Sequence, residues 1–108
     1  MNNTQFSEIV NEQLDYCKAL LNVKGDEYDA ETSDRFHSFK VAAKLQGITP
    51  KQALAGMMCK HTVSVYDMCN GGEYSPDKWE EKITDSINYL LLLKGMVLED
   101  GQNPSENS

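Results

Sequence analysis

Near the start of the chain, apolar residues recur every three or four positions: Phe6, Ile9, Val10, Leu14, Cys17, Leu20 and Leu21. That spacing makes one buried stripe on a helix, predicted from Thr4 to Val23 with Thr4 as N-cap. Lys24-Gly25 breaks the pattern, and Asp26 to Ser33 reads as a polar, acidic connection. A second helix is predicted from Ser33, its cap, with Phe36, Phe39 and Ala43 on one face and Gly47 as its stop. Thr49-Pro50 opens a third helix, Thr as cap and Pro in the first turn, that ends at about Asn70 before Gly71-Gly72. Ser75-Pro76-Asp77 repeats the start signal for a fourth helix reaching about Leu98. The stretch from Glu99 to Ser108 is polar, with Gly, Pro and Ser, and is expected to be a disordered tail. Period-two alternation is nowhere evident, so strands are not needed. The predicted fold is all-α, one domain over 1–98, an antiparallel bundle of about four helices.

Composition narrows the partners. A chain of 108 residues can bury roughly 65% of its unfolded surface and needs no staples. A net charge of −7 argues against nucleic acid and anionic membranes, whose surfaces would repel it. Cys17, Cys59 and Cys69 are odd in number and lack metal-type Cys-x-x-Cys spacing. Among apolar helical neighbours they read as small hydrophobes, in keeping with a reducing compartment. The polar N-terminus is not a signal peptide, and the apolar run Leu90 to Leu93 is far short of a membrane span. The expectation is a soluble, cytoplasmic protein.

The third and fourth helices carry the candidate chemistry. On the third, Leu54, Met58, His61, Val65 and Met68 share a core stripe, which makes His61 a core histidine with no second ligand at metal spacing. Lys60, Ser64 and Asp67 form a polar stripe beside it, continued by the small residues Ala53 and Gly56. On the fourth, Trp79, Ile83, Ile87, Leu90 and Val97 are the expected core face, with Glu81, Asp85 and Asn88 nearly opposite. A line opposite the core ordinarily meets solvent. Yet Tyr89 to Leu93 is apolar almost all the way round, which sets Asp85 and Asn88 at the border of a buried surface. A carboxylate there needs a partner: Lys60, Arg35, Lys82 or a divalent cation. The acidic connection holds Glu27 and Glu31, which would share a face if it were helical. A Mg²⁺ site between Glu27 and Asp85 is chemically reasonable, since Mg²⁺ takes one or two carboxylates plus phosphate oxygens.

The segment Trp79-Glu80-Glu81-Lys82-Ile83-Thr84-Asp85-Ser86-Ile87-Asn88-Tyr89-Leu90 resembles the last motif helix of MazG-like, all-α nucleoside triphosphate pyrophosphohydrolases. It is closer still to small phage-type proteins grouped as nucleotide-modification-associated domains. Lys60-His61 with Ser64 and Asp67, and Lys24-Gly25-Asp26-Glu27-Tyr28, are similar to other segments of that group. The resemblance implies hydrolysis of a nucleotide to its monophosphate and pyrophosphate with Mg²⁺. It implies Asp85 as a metal ligand, Asn88 near the nucleotide, and Glu27 with Glu31 standing for the acidic helix. The usual Glu-Glu-x-x-Glu helix is not present as such, and Lys82 replaces the family's Glu three residues before Asp85. A lysine there removes a ligand and repels a cation.

Two expectations follow. In the first, Asp85, Glu27 and Glu31 hold Mg²⁺, Lys60 neutralises phosphate charge at the reacting centre, and Asn88 and Arg35 contact the substrate. In the second, the chain is a non-catalytic, dimeric helical accessory protein of phage origin. Under either, the apolar girdle of Tyr89 to Leu93 predicts a dimer at least.

Overall fold

In the computed structural model the described residues are 1–29 and 34–102, with the backbone alone described for 24–29 and 102. Their regular structure is entirely helical: α1 (Asn3–Asp29), α2 (His37–Gln46), α3 (Pro50–Cys69) and α4 (Pro76–Gln102). The helical bundle is as expected, but several boundaries move.

The cap of α1 is Asn2 rather than Thr4. The Asn2 side-chain oxygen accepts from Gln5 N at 2.8 Å, and Asn2 N donates back to Gln5 Oε1 at 2.9 Å. This reciprocal pair satisfies two of the donors that a helix start leaves open. Lys24-Gly25 does not end α1, whose backbone stays helical through Asp29. One glycine costs a helix about 1 kcal/mol, which the flanking helical residues absorb. Ser33, the expected cap of α2, lies outside the described residues. α2 instead follows a turn in which Asp34 Oδ1 accepts from Phe36 N at 2.9 Å.

The other signals hold. Gly47 ends α2 in the left-handed conformation, φ 67°, where a Cβ would be strained. Thr49 caps α3, accepting from Gln52 N, and the Gln52 side chain completes the box. Ser75 Oγ accepts from Lys78 N at the start of α4. That helix passes the expected Leu98 and continues to Gln102. Two ion pairs tie down its last turns: Lys40 Nζ to Glu99 at 2.7 Å and Lys51 Nζ to Asp100 at 2.8 Å. The rest of the expected tail lies outside the described residues.

α3 packs against α2 and α4, while α1 packs against α4. The expected α3 stripe does turn inward: Leu54 and Met68 are buried, and Met58, His61 and Val65 half-buried. α1 meets the bundle only from Gln13 onward, where Gln13 Nε2 donates to Thr84 Oγ1 at 2.7 Å and Cys17 is buried. Its expected stripe is therefore half uncovered, with Phe6, Ile9, Val10 and Leu14 exposed. A helix of 27 residues is about 40 Å long, and its first turns are exposed all round.

The largest departure is in α4. Its expected core residues Ile83, Leu90 and Val97 are 38%, 56% and 49% exposed, whereas Thr84, Asn88 and Met96 are buried. On a helical wheel the inward face is roughly half a turn from the apolar stripe. The polar line looks into the protein and the apolar stripe looks out. Among the described residues, no helix is long and apolar enough to cross a membrane.

Candidate functional site

The inward polar face of α4 borders a cavity of about 70 Å³. Leu21 of α1, Arg35 from the turn before α2, Phe39 of α2, and Asp85, Asn88, Tyr89 and Leu92 of α4 line it. Three separate segments of the chain thus supply one small chamber, large enough for a few waters or one compact polar group.

Asn88 is 6% exposed, and its Oδ1 is buried without a hydrogen-bond partner. A buried acceptor left unpaired costs about 1–3 kcal/mol, so this one calls for a donor that the folded chain does not supply. Asp85 sits one turn away with its side chain 20% exposed, 3.9 Å from His61 Nδ1. That distance is a charge contact when the imidazole is protonated and too long for a hydrogen bond. The His61 ring leans on Tyr89, centroids 4.9 Å apart, and Phe39 meets Tyr89 edge-on at 6.5 Å.

Arg35 reaches the chamber because both its neighbours are anchored. Before it, Asp34 Oδ2 pairs with Lys40 Nζ at 2.9 Å, and the same ammonium holds Glu99. Burial alone would push the Asp34 carboxyl up, but hydrogen bonds from Lys40 and Phe36 N, with the Lys40 charge, hold it below its ordinary value. The Lys40 ammonium is shifted up in turn, chiefly by its hydrogen bond to Glu99 and then by Asp34. After Arg35, the Phe36 ring lies against Gly95 of α4, where an added Cβ would come within 3.0 Å of Phe36 Cζ.

Asp85 also belongs to a second, open groove between α1 and α4, of about 450 Å³. Its floor is apolar, from Ala19, Leu20 and Val23, and Asp77, Glu80 and Glu81 stand on its α4 side. Tyr16 closes one end, its phenol shifted up by the negative charge of Glu80 and then by Glu12.

Of the residues singled out in the sequence, Arg35, Asp85 and Asn88 are brought to one cavity. Lys60 is exposed on α3 and is not among the residues lining it. One residue along the helix is about 100° round it, and this makes His61 the α3 residue beside Asp85. Lys82 does not line the cavity either. The Glu27 side chain and the whole of Glu31 lie outside the described residues. His61 reads in the sequence as a core histidine and Tyr89 as part of the apolar girdle, so neither is singled out there for the site. The Lys60-His61 pair was itself the available signal.

The donor set can be tested against Mg²⁺. Among the described residues no group of three or more His, Cys, Asp or Glu side chains could hold a metal ion. What they offer is Asp85 with Glu81 one turn before it, both on the groove. That falls short of a shell built by the protein alone; where Mg²⁺ is held by one or two carboxylates, waters and substrate phosphates complete its sphere. No family model matches the chain, and the comparisons with curated proteins and with solved structures found no match.

Proposed function

We propose that this chain is a MazG-like, metal-dependent nucleotide pyrophosphohydrolase, working as a dimer. The observation that supports it most is the partnerless Asn88 Oδ1, buried in a chamber that Arg35 and Asp85 also line. A buried amide oxygen wants an N–H or O–H donor, which a nucleobase or a sugar hydroxyl provides. Arg35 supplies a fixed positive charge and a planar donor fork suited to phosphate. The apolar floor of the adjoining groove suits a flat base. Asp85, shared by cavity and groove, would hold Mg²⁺, with Glu27 and Glu31 of the acidic stretch as further ligands. The cation would polarise the phosphoryl oxygens and sharpen a water as nucleophile. In the net reaction, water adds to one phosphorus of the α–β anhydride and the bridging oxygen leaves, giving monophosphate and pyrophosphate.

Pyrophosphate release from a panel of ribo- and deoxynucleoside triphosphates, with Mg²⁺ and then Mn²⁺, tests this directly beside Asp85→Asn. Turnover lost in the variant while its melting temperature holds supports the hydrolase and puts the cation on Asp85. No turnover, with no rise in melting temperature on adding nucleotide and metal, sinks it. The second reading, a non-catalytic dimeric accessory protein, is favoured by the outward apolar stripe of α4. It predicts no turnover in a chain that still dimerises.

A further inference from the structure

The outward stripe of α4 has a period of its own. Ile83, Ile87, Leu90, Lys94 and Val97 follow one another at spacings of four, three, four and three. This is the 3.5-residue repeat of a helix seam that packs along another helix. Leu91 and Leu98 widen it on one side, the side on which α1 meets Thr84. Ile83, Leu90, Leu91, Val97 and Leu98 are 38% to 59% exposed. The cavity-lining Asp85, Asn88 and Leu92 and the buried Met96 occupy none of the seam positions, so the two faces do not compete.

We infer that this seam pairs with the α4 seam of a second copy of the chain, the two helices running antiparallel across a two-fold axis near Leu90. This inference rests on the dimer of the proposed function and not on its hydrolase chemistry, which the turnover assay tests separately. The seam and its flanking leucines leave on the order of 500 Å² of apolar surface per copy, much of the ~800 Å² that each partner gives a stable interface. Phe6, Ile9, Val10 and Leu14 on α1 are exposed as well and can supply the remainder. Lys94 decides the direction. A parallel pair would stack Lys94 on its counterpart in one layer, like charges in a low-dielectric seam. The antiparallel pair sets Lys94 against Ile87 of the other copy and Val97 against Ile83, Leu90 facing itself. The lysine stem then covers isoleucine while the ammonium reaches water, and the polar position holds the register.

The test is mass in solution, by sedimentation of the full chain at about 100 μM and in dilution. A species of twice the 12.1 kDa chain mass is expected, and a chain that stays at 12.1 kDa overturns the inference. Leu90→Glu puts two carboxylates at the axis and should weaken association ~100-fold or more, with helicity unchanged because the position is solvent-facing in the single chain. Lys94→Leu should tighten association at least ~10-fold. Direction is read in a Cys59→Ser, Cys69→Ser background under mild oxidation. Chains carrying Ile83→Cys should cross-link to chains carrying Val97→Cys and not to themselves. Self-cross-linking at either position overturns the antiparallel arrangement. A dimer that survives Leu90→Glu and is lost in Ile9→Glu moves the interface to α1 and overturns the α4 seam.

Discussion

Asn88→Leu should make the protein more stable while removing its ligand. The substitution keeps the side chain's length and branched shape, with bulkier ends, at a position that is 6% exposed and deletes a carboxamide whose Oδ1 has no partner. Relieving an unpaired buried acceptor returns part of its ~1–3 kcal/mol penalty, and an apolar group at the same place adds burial. The branched end of leucine is accommodated by the neighbouring 70 Å³ cavity, which limits overpacking. The net expectation is a gain of about 1–2 kcal/mol, or a melting temperature raised by roughly 4–8 °C for a chain of this size. Urea unfolding followed by far-UV circular dichroism measures it, at constant protein concentration because association adds to apparent stability. Nucleotide with Mg²⁺ should raise the melting temperature of the parent and leave the variant unmoved. A loss exceeding about 1 kcal/mol in Asn88→Leu would refute the reasoning. It would mean the carboxamide is a satisfied part of the structure rather than a group kept for a ligand.

Two further expectations concern the anchors of Arg35. Gly95→Ala would gain ~1 kcal/mol on an unobstructed helix. The 3.0 Å approach to Phe36 should turn this into no change or a loss of about 1–2 kcal/mol, relieved by Phe36→Leu. A clean gain in the single variant would count against the contact. The Lys40 hub should shape the pH profile of stability. Lys40 titrates higher in the folded chain than its ordinary 10.5, so its contribution is complete below that value and fades as pH rises through the folded one. Asp34 titrates below 3.8, so its contribution is complete above that value and fades as pH falls through the folded one. Lys40→Met should flatten both flanks in denaturation curves taken from pH 2 to pH 11; unchanged flanks would show that the hub does not contribute.

Much of the fold was legible because helix ends are chemically local. Thr49-Pro50 with Gln52, Gly47 after α2, and Ser75-Pro76 each carry their own hydrogen-bond or backbone reason. Asn2 against Thr4 was decidable from Gln5, the residue three places after Asn2 that closes the box. What periodicity could not give was the facing of α4. The pattern of Ile83, Ile87 and Leu90 against Asp85 and Asn88 shows that the helix has two faces. Which face looks inward depends on what else the chain can bury, and here α1 and α3 bury the polar one. The site was half legible for the same reason. Arg35, Asp85 and Asn88, which line one cavity, stand out in the sequence as polar groups beside an apolar surface. His61, in the core stripe with no second ligand at metal spacing, reads as core, and Lys60 beside it differs by one position, roughly 100° of helix.

α1 makes its tie to α4 across 71 residues, Gln13 to Thr84, and its first turns are exposed, while α3 packs against both α2 and α4. With so little of its length covered, α1 has less burial to hold it than α3 and is expected to release first on unfolding. The amides of α1 should therefore exchange with deuterium through a lower-energy opening than those of α3. Leu21 of α1 is a wall of the Arg35–Asn88 cavity, so the same opening is the cavity's door. A ligand seated there favours the docked helix by mass action, and slowed exchange along α1 would report its arrival even where no turnover is seen.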